Sequence, residues 1–241
     1  MVVQKGVMYS RMSPLRRASW LVLVAVALVP VPSLSSGTLY GSKSVANEIS
    51  AAENLLAGQT RLHEWRVLLD GLQERDPTEQ LRMVNDFFNT KVRYQSDDRT
   101  WGVEDYWATP EELLIKGRGD CEDIAIAKYV SLRALGMVEA TLRLAYVMQR
   151  SPGTADAVRA HIVLTHDPSG EWRRPSGRWV LDNMTSTVVH SAMREDLQEV
   201  LLFNRTNIIV SQTGQRFESR EFLRWARFLE RLDATSQAPL P

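Results

Sequence analysis

The chain has 241 residues, enough for one sizeable hydrophobic core and short of two. Its 29 Lys and Arg balance 29 Asp and Glu, which excludes the basic excess of a dedicated nucleic-acid binder. The lone cysteine, Cys121, excludes an intramolecular disulfide framework and any zinc site built from several thiolates.

Residues 1–35 read as a leader. Lys5, Arg11, Arg16 and Arg17 precede an apolar run from Trp20 to Val31, and Ser33-Leu34-Ser35 has the small-x-small form accepted at signal cleavage. The run is shorter than the roughly 20 residues of a comfortable membrane span. Export with cleavage near Ser35 is the expectation, with an uncleaved anchor as the alternative. Loss of the leader removes four basic residues and no acidic one, so 25 against 29 leaves a mature chain near −4. Residues 36–241 are then one domain, helical to about 118, with a further helix and a sheet over about 119–235.

Segments 44–57 and 61–72 carry apolar residues at helical spacing. Asp76-Pro77-Thr78-Glu79 supplies a cap and a first-turn proline for a helix through Phe88. Thr109-Pro110-Glu111-Glu112 has the same form, with Glu112 completing a capping box. A further helix is predicted over 121–135, stopped by Gly136. The period then changes. Residues 141–148 alternate, and 161–165 and 178–182 are short apolar runs joined as a hairpin through Pro168-Ser169-Gly170 and Pro175-Ser176-Gly177. A strand over 207–211 and a closing helix over 220–232 complete an α+β pattern. Trp101, Asp105, Tyr106 and Trp107 read as a hydrophobic prop under the Cys121 helix, the alternative being that one aromatic lines a cleft beside it or contributes a donor there. Arg143, Arg150, Arg159, Arg173 and Arg174 read as solvated surface.

The chemistry concentrates in Gly117-Arg118-Gly119-Asp120-Cys121-Glu122-Asp123. Two glycines let the chain turn sharply, Asp120 can cap the next helix, and Cys121 falls at its first position. Unpaired amides and the helix dipole favour a thiolate there, and the same amides could bind an oxyanion. The competing reading is a small buried hydrophobe, since free cysteine is among the most buried residue types. A thiolate nucleophile needs a base and a group that orients it. His63 sits in the early helical region and His190 in a polar loop. His161 and His166 occupy opposite parity on one predicted strand, so only one of them can face a site shared with Cys121. Asp182 ends the next strand, placed to meet His161 across the hairpin.

Gly119-Asp120-Cys121-Glu122-Asp123-Ile124-Ala125-Ile126-Ala127-Lys128, preceded by the stretch Trp101–Pro110, closely resembles the bacterial transglutaminase-like cysteine proteases of the LapG type. Ala160-His161-Ile162-Val163-Leu164 and Val180-Leu181-Asp182-Asn183 resemble that family's histidine and aspartate segments, in the same order. The resemblance spans about residues 80–230. It implies a papain-like, transglutaminase-like α+β fold with Cys121 as nucleophile, His161 as general base and Asp182 as its orienter. It further implies a periplasmic endopeptidase that clips a surface adhesin and is restrained by an inner-membrane receptor for cyclic di-GMP. The same residue order also serves transglutaminases, which pass the acyl group to an amine, and a degenerate relative kept as a binding module is a third reading.

Asp120, Glu122 and Asp123 put three carboxylates around a cysteine that must ionise. Uncompensated, their charge would raise the thiol pKa. A hard divalent cation bound by those oxygens would cancel the repulsion, whereas the bland reading is that acidic residues simply favour a helix N-terminus. The resemblance implies Ca²⁺ at these three positions.

Overall fold

The computed structural model describes residues 41–150, 157–172 and 177–237. The predicted leader, Arg173, Arg174 and most of the second Pro-Ser-Gly turn lie outside them. Among the described residues, no helix is long and apolar enough to cross a membrane.

The two early helical segments are one helix, α1 (Gly41–Leu72). Gly58 lies between them without breaking it, because its missing side chain serves a close approach. A Cβ there would sit 2.6 Å from the carbonyl oxygen of Ile115. One turn later Arg61 donates to the carbonyls of Leu114 and Ile115 at 2.7 and 3.1 Å, covering the C-terminal end of the helix they belong to. Next come α2 (Pro77–Lys91), β1 (Arg93–Tyr94), α3 (Asp97–Thr100), α4 (Pro110–Lys116), β2 (Arg118–Gly119) and α5 (Cys121–Ala134). Both expected caps are present: Asp76 accepts from Thr78 N, and Thr109 and Glu112 form the reciprocal box on α4. The two-residue strands β1 and β2 pair in parallel and have too little length to leave a sequence signal.

Helix α5 is the centre of the molecule. Ile124, Ala125, Ile126, Ala127, Tyr129 and Leu132 are all buried, as α2 and α4 cover one side and the sheet the other. Trp65 of α1 fixes its position, donating from Nε1 to Ser131 Oγ at 2.8 Å.

The sheet comprises β3 (Leu142–Arg150), β4 (Val158–His166), β5 (Trp179–Leu181), β6 (Val189–His190), β7 (Leu197–Phe203), β8 (Asn207–Val210) and β9 (Arg216–Glu218). Its order is β6-β5-β4-β3-β7-β8-β9, antiparallel at every described pairing. One face carries Leu142, Leu144, Ile162 and Leu164 against the helices, while Ala145, Val147, Val163 and Val180 form a second cluster on the other. The closing helix α6 (Leu223–Gln237) starts later than its apolar pattern suggests, after a 3₁₀ turn over Ser219–Glu221. Trp225 of α6 stacks on Phe228 and packs tilted or edge-on against Trp107, Phe203 and Tyr129, so Trp107 props α6. Arg143 departs from the surface reading. It is buried, and it and Arg178 lie about the Trp172 ring at 5.1 and 4.9 Å, where cation–π attraction offsets part of the desolvation.

One feature of the topology positions the site. β5 pairs with β4 only across Leu164–His166, so the first half of β4 is open on that side. The N-terminus of α5 and the end of β5 both come to this notch.

Candidate active site

The chain enters α5 through a tight passage. Gly117 ends α4 at φ +68°, in the left-handed region where glycine is favoured. At Gly119 a Cβ would lie 2.5 Å from both Asp123 Oδ2 and Leu113 Cδ1. Gly119→Ala is therefore expected to push Asp123 and the start of α5 apart. The expected cost is roughly 1–3 kcal/mol, the range for overpacking, together with a fall in activity, checked by thermal melting beside a cleavage assay.

Asp120 occupies the N-cap position in extended conformation, but its side chain makes no capping hydrogen bond. The expected cap is absent because the carboxylate is committed elsewhere. Cys121 follows as the first residue of α5, half-buried. Its Sγ donates to Glu122 Oε2 at 3.1 Å, and the amide of Ile162 in β4 donates to the sulfur. Burial pushes the thiol pKa up, and the Glu122 and Asp120 charges push it further, against the Ile162 amide. The helix start alone does not win here. The acidic neighbours hold the proton on sulfur.

One residue before Ile162, His161 is buried in β4 and its Nε2 lies 2.8 Å from Asp182 Oδ1, just past the end of β5. Asp182 is 1% exposed. It also accepts from Met184 N at 2.9 Å and from Arg194 Nη1 at 2.7 Å, and its pKa is lowered: burial raises it, but the bonds from His161, Met184 and Arg194 outweigh that. Asn89 of α2 secures the backbone, donating from Nδ2 to Asp182 O and Thr185 O, each at 2.9 Å. Beneath this group lies Lys128 of α5, wholly buried, bonded to Asn85 Oδ1 at 2.8 Å and depressed by desolvation to about 7. The other histidines lie elsewhere. His166 sits at the far end of β4, against Trp179 and Leu142; His190 packs edge-on to Trp179; His63 is exposed on α1.

The carboxylates divide in a way the sequence does not show. Single oxygens of Asp97, Asp120 and Glu122 lie within 4.8 Å of one another. Asp123 stands outside that group. Its Oδ1 accepts from Ala108 N at 2.7 Å and its Oδ2 faces Gly119, which turns the side chain into the protein. Asp97 joins Asp120 and Glu122 in that group, brought in by α3 from 23 residues before Asp120. One Asp97 oxygen accepts from Tyr106 N; the other is buried without a partner, as is Oδ1 of Asp120. Burial and mutual charge raise Asp97 to about 6, Asp123 to about 8 and Asp120 well above the carboxylate range. Hard oxygens that repel one another, two of them buried without a partner, are the donor set that a divalent cation fits.

Sequence reading missed Asp97, Arg194 and Lys128. Each is brought in by tertiary packing. The one local hint is Ser96-Asp97-Asp98, which reads as a helix start and says nothing about where that helix docks.

The fold is shared with solved structures. LapG of Legionella pneumophila, treated with EGTA, superposes with a TM-score of 0.62 at 30% identity, over 75% of this chain and 96% of that one. The calcium-bound form of LapG from the same organism gives 0.60 at 29% identity, over 76% and 98%. None of the curated proteins matches the chain. The family described as bacterial transglutaminase-like cysteine proteinase, BTLCP, matches residues 69–195, which run from the end of α1 past both Cys121 and Asp182. With the fold and more than half of its length in agreement, this chain belongs to the bacterial transglutaminase-like cysteine proteinases.

Proposed function

We propose that this protein is an exported, calcium-dependent cysteine endopeptidase working through Cys121, His161 and Asp182. The observation that carries the reading is the notch in the sheet. The amide next to His161 meets the Cys121 sulfur there, while the imidazole is held at 2.8 Å by a buried carboxylate. In this reading Cys121 attacks a peptide carbonyl, and the free amides at the start of α5 receive the oxyanion. His161 takes the thiol proton and returns it to the leaving amine, with Asp182 fixing the ring and favouring its charged form. Water then hydrolyses the thioester.

Asp97, Asp120 and Glu122 would hold Ca²⁺, with Asp123 bracing the turn from beneath; backbone carbonyls and waters would complete the 6–8 oxygens that calcium takes. The ion supplies positive charge beside the thiol. Glu122 and Asp120 then no longer oppose ionisation of Cys121. The calcium-bound form of the Legionella relative supports this.

The substrate in this reading is a surface adhesin, reached from the periplasm, with an inner-membrane cyclic-di-GMP receptor as restraint; the family likeness and the leader-like residues 1–35 support it. The test is to incubate the purified mature enzyme with surface proteins of its own host and map the new N-termini. Discrete new N-termini on one large surface protein are expected. Amine-crosslinked products without new termini would favour acyl transfer, and neither product would favour a binding module.

A further inference from the structure

The Asp182 carboxylate has a second partner that the three-residue reaction does not use. Its Oδ1 takes His161 Nε2 and Met184 N, while its Oδ2 takes Arg194 Nη1 at 2.7 Å. Arg194 is 8% exposed and follows the 3₁₀ turn Ser191–Met193. Its guanidinium cannot swing, because Asp196 grips the other edge: Nε to Oδ1 at 2.8 Å and Nη2 to Oδ2 at 2.9 Å. Asp196 in turn accepts from Gln149 Nε2 at 3.0 Å, and Gln149 Oε1 accepts from Arg159 Nη2 at 2.7 Å. Arg159 lies two residues before His161 on β4, directly across from Gln149 on β3. The chain of bonds therefore leaves β4 at Arg159 and returns to β4 at His161.

We propose that Arg194 is a positioning residue for the reaction, fixing the plane and the charge of Asp182 so that one carboxylate oxygen alone is presented to His161. This rests on the triad reading above and adds to it. A surface ion pair would need no such closure, and a carboxylate with one anchored side could rotate. The bidentate clamp from Asp196 orients the fork, and the fork orients Asp182. Arg194 also offsets the Asp182 charge. A bare buried carboxylate would hold the imidazolium too firmly for it to return its proton. Lys128 of α5 also acts on Asp182 through its charge, with Asp86 of α2 acting on Lys128 in turn. The hydrogen bonds to the Asp182 carboxylate come from His161, Met184 and Arg194.

The test compares Arg194→Gln, Arg194→Lys and Asp196→Asn in the full mature enzyme, each folded by melting and circular dichroism. Arg194→Gln is expected to lower kcat by about 10- to 100-fold with KM within about twofold, the signature of a lost reaction-specific interaction. That split between kcat and KM is the readout a merely structural role would not move. Arg194→Lys restores the charge without the fork, so kcat stays low while KM matches that of the parent. Asp196→Asn, at a more exposed position, loosens the clamp and gives the same losses at smaller size; it also carries the test if Arg194→Gln fails to fold. An unchanged kcat in folded variants overturns the proposal. His161→Ala and Asp182→Asn run beside them. If those two remain active, the triad reading falls. If they are inactive and the Arg194 and Asp196 variants match the parent, the triad stands and the positioning role falls.

Discussion

Cys121→Ala is expected to leave a folded protein with no measurable cleavage, a loss on the order of 10⁴-fold or more in kcat. The side chain is half-buried and bonds only Glu122 and the Ile162 amide, so its removal should cost no more than about 1 kcal/mol of stability. His161→Ala should follow it nearly as far, because a nucleophile without its base keeps only binding and the oxyanion amides. His166→Ala should not. That ring has no partner on Nδ1, and burial lowers its pKa, so it is an uncharged spacer between β3 and β5. Its loss is expected to lower the melting temperature and spare kcat/KM within a few-fold. Cleavage of a mapped substrate peptide, measured on all three variants at one pH, checks both statements. Persistent cleavage by Cys121→Ala would remove the nucleophile, and inactivation by His166→Ala alone would move the base.

The parts of this molecule that were legible in the sequence are those with local causes. Asp76-Pro77 and the Thr109–Glu112 box announce their helices because capping bonds span only two or three residues. The pairing of His161 with Asp182 was also within reach, since a hairpin puts the ends of adjacent strands together. What failed had distant causes. Asp120 reads as a cap, yet its oxygens turn toward Asp97 and Glu122, whose approach depends on α3 docking beside β2. The Asp123 side chain is held from a distance too: Ala108, in a loop 15 residues upstream, takes its Oδ1, while its Oδ2 is buried without a partner. Parity also misleads in part. His166 has the parity of Ile162 and Leu164, which face α5, so alternation alone would have favoured it over His161. The site sits instead at the notch left where β5 ends early, and a strand's end point is weakly written in sequence. Arg143 was misplaced for a related reason. The Trp172 ring that shelters it comes from the far side of a strand connection.

Removing calcium is expected to cost nearly as much activity as removing the base. A calcium-selective chelator should lower kcat/KM by about 100-fold or more, because burial and the Glu122 and Asp120 charges then keep the Cys121 proton in place. Added Ca²⁺ should restore activity, and Mg²⁺ at the same concentration should not, since Mg²⁺ demands a tighter octahedron than a turn and two helix starts supply. Asp97→Asn should weaken Ca²⁺ and leave folding intact, although Asp97 belongs to no motif around the cysteine. Stability gives a readout independent of catalysis. In chelator Asp97 titrates at about 6 and Asp123 at about 8, both above the roughly 4 of an unfolded carboxylate. Between those values the folded state binds more protons than the unfolded one, so stability falls as pH rises from about 4 to 8. Ca²⁺ favours the ionised carboxylates and should flatten that slope while raising the melting temperature most at the alkaline end. Melting curves across this range, with chelator and with Ca²⁺, check the sign. A slope that is identical in both would remove the cation from the acidic group, and full activity in chelator would remove it from the mechanism.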